Sequence, residues 1–373
     1  MSIRVLCVDD SKPVLDILER LLNSEEDIEV IATARSGEEA ISRIKTVSPD
    51  VVTLDIRMPG ISGIDVLRYL RDMPSPPVIV ISSYTQPGMR ITIEALEEGA
   101  FDFIPKPASG KLSDLIKMKD DLTRLVRAAY IYSRSDEKSR GRITSLGQEK
   151  GNRGSAYETI VQAERNKLGV LTEEEVSCVE AIGIGSSTGG PFALTSFLPL
   201  FPADFPWPVF VVQHMPPFFT RYFAERLNDK CAVNVKEAED MEVACPGTVY
   251  IAPGDVHMIV QKRDGKLVIR LKVMENGRYE CIPSATVLFE SLASSVKDKG
   301  VGILLSGMGR DGAQGLLMMK KVGAITAVQD PKSAVAYGMP SSALKIGAAT
   351  KVVAPKNIPR FIYSAVRLRA LSV

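Results

Sequence analysis

Apolar and polar positions alternate along this chain in two separate blocks. In the first, short apolar runs fall at about residues 3–8, 28–33, 51–54, 78–82 and 101–104. Between them leucines recur at helical spacing: Leu15, Leu18, Leu21 and Leu22, and later Leu112, Leu115, Leu122, Leu125 and Val126. Five apolar strands alternating with amphipathic helices predict an α/β domain built on a doubly wound parallel sheet, over residues 1–130. The pattern then breaks. Residues 133–142 are charged and small, and such a stretch buries too little surface to offset its ordering entropy. The segment 131–177 therefore reads as a linker, with a short helix near 156–168. Alternation resumes at Val179, with strands expected near 179–184, 208–212, 248–251, 301–305 and 324–328. The runs 258–261 and 267–271, joined through Arg263-Asp264-Gly265-Lys266, read as a β-hairpin. A second doubly wound α/β domain, Rossmann-like with this antiparallel addition, is thus expected over 178–373.

Bulk composition narrows the function classes. Lys and Arg number 46 against 45 Asp and Glu, a balance that offers nucleic acid no general attraction. No apolar run reaches the roughly 18 residues needed to enter and cross a bilayer. The start, Met1-Ser2-Ile3-Arg4-Val5-Leu6, lacks the pattern of a secretory signal, so a cytoplasmic location is expected. Cys7, Cys178, Cys231, Cys245 and Cys281 are scattered and form no C-x-x-C pair, which favours free thiols.

Chemistry concentrates where strands end. Asp9 and Asp10 follow the first strand and Asp55 the third, and parallel strands share one C-terminal edge. Three converging carboxylates repel one another unless a hard divalent cation joins them, and an oxygen-only set suits Mg²⁺. Ser82-Ser83 and Lys106 close two further strands, and a hydroxyl and an ammonium there suit a phosphoryl group on one carboxylate. One acid at a strand end is ordinarily just solvated; five such positions on one edge are not explained that way.

This set resembles the receiver domain of bacterial response regulators. The likeness rests on Asp9-Asp10, Asp55 followed by Met58-Pro59-Gly60 and Gly63, Ser82, Phe103, and Lys106-Pro107. It implies a flavodoxin-like fold in which Asp55 takes phosphate from a histidine kinase. It further implies Mg²⁺ held by Asp9, Asp10 and Asp55, Lys106 paired with the phosphoryl oxygens, and Ser82 and Phe103 as switch residues.

In the second block, Gly185-Ser186-Ser187-Thr188-Gly189-Gly190 follows an apolar strand and fits the G-x-S-x-G turn that exposes a nucleophilic serine. Gly-rich turns of this kind also hold phosphates or merely pack closely. Ser187 needs a base, and the chain has only two histidines. His214 ends the next expected strand and can share an edge with Ser187; His257, at the start of the hairpin, is the competitor in a structural or substrate-contact role. The imidazole needs an orienting carboxylate, and Asp311, in Ser306-Gly307-Met308-Gly309-Arg310-Asp311-Gly312, is one candidate, with helix capping as its plain alternative and Asp330 as a rival. The order Ser, His, Asp departs from that of α/β-hydrolases, but such triads are defined by geometry.

These segments, with Gln213-His214-Met215-Pro216-Pro217, Tyr250-Ile251-Ala252-Pro253-Gly254 and Tyr337-Gly338-Met339-Pro340, resemble the catalytic domain of bacterial chemotaxis protein-glutamate methylesterases. A receiver followed by that domain is the family's layout. The resemblance implies Ser187 as nucleophile, His214 as general base and acid, and Asp311 as the orienting carboxylate. It implies the Met308 N–H as oxyanion donor, aided by the turn at Thr188, and puts His257 near the substrate site. No cofactor is implied for the esterase step. Methyl-accepting chemoreceptors are the implied substrates, a chemotaxis histidine kinase the phosphodonor, and glutamine deamidation a related activity. In the family the unphosphorylated receiver covers the active-site face. A non-catalytic receptor-binding module is the competing reading. Ser186 stands where the family usually has alanine, and Thr286 where aspartate is frequent.

Overall fold

The computed structural model describes residues 2–71, 73–83, 85–107, 109, 111–134, 153–273, 279 and 281–372. The chain divides into two compact units, Met1–Ser145 and Leu146–Val373.

In the first unit, β1 (Ile3–Val8), β2 (Ile28–Ala34), β3 (Val51–Asp55), β4 (Val78–Ser82) and β5 (Asp102–Pro105) form a parallel sheet in the order β2-β1-β3-β4-β5. β3 and β4 are buried at every position, because helices cover both faces; this is why they read as unbroken apolar runs. The helix Lys12–Asn23 buries Val14, Leu15, Leu18, Leu21 and Leu22, the residues whose spacing announced it. The strand order reverses between β1 and β3, and ligands bind at such a crevice. Asp9 and Asp55 lie at its C-terminal edge.

The second unit holds a seven-stranded parallel sheet in the order β14-β13-β12-β6-β7-β9-β8. Its strands are β6 (Ala181–Ser186), β7 (Val209–Gln213), β8 (Asn234–Glu237), β9 (Thr248–Ile251), β12 (Gly300–Leu304), β13 (Ile325–Gln329) and β14 (Lys351–Val353). The hairpin is β10 (His257–Arg263) paired antiparallel with β11 (Lys266–Lys272). Asp264 and Gly265 both have positive φ, 48° and 76°, as a two-residue turn matched to strand twist requires. β8 and β14 were not expected from the sequence. Both are short edge strands, partly exposed and partly polar, so neither carries an apolar run.

The expected linker contains ordered structure. Arg153–Asn166 and Glu173–Ser177 are helices, the second opened by a capping box between Thr172 and Glu175. Arg165 donates to Pro199 O at 2.6 Å, Glu164 pairs with Arg360 at 2.6 Å, and Trp207 Nε1 donates to Val176 O at 3.0 Å. The stretch 153–177 is therefore part of the second unit, with Val161 and Leu168 buried and these polar contacts beside them. The charged run 135–142 lies outside the described residues. Among the described residues, no helix is long and apolar enough to cross a membrane.

β6 sits mid-sheet with its glycines under the helix Ala285–Ser295. A Cβ on Gly183 would lie 2.4 Å from Leu292 Cδ1, and one on Gly185 would lie 2.6 Å from Ala285 Cβ. The absent side chains let this helix press onto the sheet and bring its N-terminus to the strand edge.

Candidate active site

The order β12-β6-β7 places three chain segments side by side, with β6 at the point where the strand order reverses. Ser187 follows β6, His214 follows β7, and Asp311 closes the turn after β12. Backbone bonds tie these ends together. Ser187 N–H donates to Ser306 O at 2.9 Å, and His214 N–H donates to Ser186 O at 3.0 Å. Gly189, at φ 76°, carries the chain into the helix Gly190–Phe197.

Asp311 is buried and fully engaged. One carboxylate oxygen, Oδ2, lies 2.9 Å from His214 Nε2 and accepts the Ala285 N–H at 2.7 Å. The other, Oδ1, accepts the Ser284 hydroxyl at 2.7 Å and the Thr286 N–H at 3.2 Å. Ser284 is the N-cap of the helix Ala285–Ser295, so the carboxylate sits on a helix N-terminus, where free N–H groups and the helix dipole favour negative charge. Burial alone would raise the Asp311 pKa, but His214, the Ser284 hydroxyl and the Ala285 N–H override it and hold the acid well below the usual carboxylate range. Burial alone would pull the His214 pKa down; hydrogen bonding to Asp311 and to Cys281 overrides it and raises the imidazole to about 9.

The Ser187 hydroxyl is half-buried and makes no hydrogen bond to a described residue, so no direct bond joins it to the imidazole. Nε2 faces Asp311, and the imidazole also hydrogen-bonds to Cys281. Gly307 lies against the serine: a Cβ there would come within 2.9 Å of Ser187 Cβ and 2.1 Å of Met339 Sδ. Met308 is next in sequence, and neither its N–H nor that of Thr188 donates to a described residue. Two backbone donors are thus left open beside the serine.

His257 is buried behind this group. Its Nδ1 accepts the Ser284 N–H at 3.2 Å, and burial lowers its pKa against the pull of Asp311. It supports the residue that grips Asp311 and makes no hydrogen bond to Ser187. Asp330 is occupied by its own turn, taking the Ser333 hydroxyl at 2.6 Å and the Lys332 N–H at 2.9 Å.

On the first unit's strand edge, Asp9, Asp10 and Asp55 offer oxygens all within 4.8 Å of one another, an arrangement that can bind a metal ion. Lys106 Nζ lies 2.8 Å from Asp9 and 2.9 Å from Asp55. Burial raises the Asp55 pKa, Lys106 opposes the rise, and Asp9 and Asp10 add to it; the net shift is upward. The Ser82 hydroxyl turns away to Thr92 Oγ1, and the Phe103 ring is buried.

The CheB methylesterase family matches residues 182–362, and the response regulator receiver domain family matches 5–118. A Pyrococcus abyssi protein named protein-glutamate methylesterase/protein-glutamine glutaminase is 39% identical over 368 residues, covering 98% of this chain and 94% of its own. The chain belongs to that family. A Chromohalobacter salexigens member is 40% identical over 96% of this chain and 94% of its own. Among solved structures, the Thermotoga maritima CheB methylesterase catalytic domain is 37% identical, covering 50% of this chain and 98% of its own, with a TM-score of 0.49.

Sequence reasoning about this methylesterase family member did not reach Ser284, Gln213 or Cys281. Ser284 stood inside Pro283-Ser284-Ala285-Thr286, whose serine before a helical run is an N-cap signal. Gln213 entered only as the first residue of the Gln213-His214-Met215-Pro216-Pro217 run, with no role of its own. Cys281 read only as one of five free thiols, and nothing in its neighbours points to His214. Thr286 keeps a polar role, its hydroxyl accepting the Gly312 N–H at 2.8 Å.

Proposed function

We propose that this protein is a phosphorylation-regulated esterase that hydrolyses glutamyl methyl esters on chemoreceptors, with glutamine deamidation as the parallel reaction. The observation that carries this reading is the His214 Nε2–Asp311 Oδ2 contact of 2.9 Å, with the carboxylate seated on a helix N-terminus one strand from Ser187. Asp311 fixes the Nε2–H tautomer and leaves Nδ1 as the base. Nδ1 takes the Ser187 proton as the hydroxyl attacks the ester carbonyl. The oxyanion is met by the N–H groups of Met308 and Thr188. Methanol leaves with the proton from His214, and water activated by the same imidazole hydrolyses the glutamyl-Ser187 ester. For a glutamine side chain the same steps release ammonia. His257 positions Ser284.

In this reading residues 1–130 form the regulatory domain, 131–177 the connection and 178–373 the esterase domain, working in the cytoplasm. A histidine kinase phosphorylates Asp55. Asp9, Asp10 and Asp55 would hold Mg²⁺, which would supply positive charge to offset the carboxylates and the incoming phosphoryl group. Lys106 pairs with the phosphoryl group, and Ser82 and Phe103 relay its arrival as a population shift.

A receptor-binding module without turnover draws on one observation, the missing hydrogen bond at the Ser187 hydroxyl. Sites without substrate commonly hold such bonds loosely. Methanol release from methylated receptor membranes, with and without a small-molecule phosphodonor, separates the two. Ser187→Ala should remove release by a factor on the order of 10⁴ or more; release at the parental rate in that variant refutes the esterase reading.

A further inference from the structure

We infer that Gln213 is a positioning residue that sets the spacing between nucleophile and base; the inference rests on the Ser187–His214 reading above. Its side chain is 2% exposed and lies between the two strand ends. Gln213 Nε2 donates to Ser187 O at 3.0 Å and to His214 O at 3.1 Å. A primary amide has two N–H donors, so both are spent on the backbone carbonyls of the two reacting residues. The amide oxygen accepts the Ser186 hydroxyl at 2.7 Å. The two carbonyls fix the amide's orientation, because a flipped amide would set its oxygen against both of them. Gly190 makes the room: a Cβ there would lie 2.1 Å from Gln213 Oε1.

The two segments also pair as β6 and β7 up to Ser186 and Gln213, the Ser186 hydroxyl reaches Val212 O at 3.3 Å, and the His214 N–H donates to Ser186 O at 3.0 Å. The glutamine adds a brace across the residues that carry the chemistry, and the brace is rigid because every polar atom in it is used. Small displacements of a reacting atom are costly, about 100-fold in rate for about 1 Å. A brace of this kind acts on the reaction step, whereas a glutamine that merely fills a buried space acts on folding alone.

The test compares full-length protein with Gln213→Leu, which keeps bulk without donors, and Gln213→Glu, which keeps shape and loses the NH₂. Steady-state methanol release from methylated receptor membranes gives kcat and KM, normalised to folded protein by circular dichroism. Both variants should lose about 10- to 100-fold in kcat with KM within about twofold. Gln213→Glu covers the case in which the leucine variant does not fold. Parental kcat in a folded variant, or a loss confined to KM, overturns the inference. Ser187→Ala is run alongside. If it is inactive while the Gln213 variants keep parental kcat, only the brace is wrong; if it is active, the underlying reading is wrong.

Discussion

Asp55 and Asp311 occupy the same address in two sheets: a buried carboxylate at the C-terminal edge of a doubly wound parallel sheet, near the point where strand order reverses. Their electrostatics are opposite. Burial raises the Asp55 pKa, Lys106 only partly offsets the rise, and Asp9 and Asp10 add to it. Asp311 faces a hydroxyl, two backbone N–H groups and an imidazole, and its pKa falls. The position within the fold therefore does not set what a carboxylate does. The neighbours do: converging carboxylates around Asp55 can share a cation, whereas donors around Asp311 favour its anion.

Removing the charge from the donor-held side is the strongest challenge to this contrast. Asp311→Asn keeps the shape but loses the anion that fixes the imidazole, and kcat should fall by about 10⁴. The pH profile carries the same information. With His214 raised to about 9, the neutral base forms only as pH rises, so the acid limb of kcat/KM should lie above the ordinary histidine value of 6.5. Cys281→Ala, which removes one of the raising contacts, should move that limb to lower pH. A limb at or below 6.5 in the parent breaks the contrast. Stability follows the same sign: the contribution of a raised His214 is full below about pH 6.5 and is lost as pH climbs through about 9.

The cation-seeking side gives the next largest effect. Asp55→Asn should abolish phosphorylation by a small-molecule donor, read by mass spectrometry. Mg²⁺ affinity, measured by calorimetry, should weaken as pH falls through the raised Asp55 titration, since protons compete for the same oxygens. An affinity unchanged across acid pH would show that Asp55 is not in the metal set. The smallest change concerns Thr286, whose hydroxyl accepts the Gly312 N–H at 2.8 Å. Thr286→Val should cost about 1 kcal/mol of stability by denaturant melting, with kcat within a few-fold of the parent. A larger kcat loss would make the Thr286 hydroxyl, as well as its N–H, part of the Asp311 grip.

Legibility in the sequence tracked burial. β3, β4, β7 and β12 are buried at every position and read as continuous apolar runs, whereas the edge strands β8 and β14 left no such trace. Residues at the ends of core strands could be read, which is why Asp9, Asp55, Ser187 and His214 stood out. What completes each site arrives from elsewhere in the chain. The helix N-terminus under Asp311 is delivered by close packing at Gly183 and Gly185, a tertiary event that spacing does not encode. For the same reason the sequence left His257 in competition with His214, and only the bond from Ser284 N–H to His257 Nδ1 assigns it a place behind the carboxylate.

The claim beneath all of this is that Ser187 is made reactive by an imidazole that Asp311 holds in place. Treatment of the full-length protein with a serine-directed fluorophosphonate, followed by peptide mapping, tests it most directly. The label should fall on Ser187, and its rate should collapse in His214→Ala and Asp311→Asn. Labelling elsewhere, or at Ser187 with rates untouched by those substitutions, would contradict it.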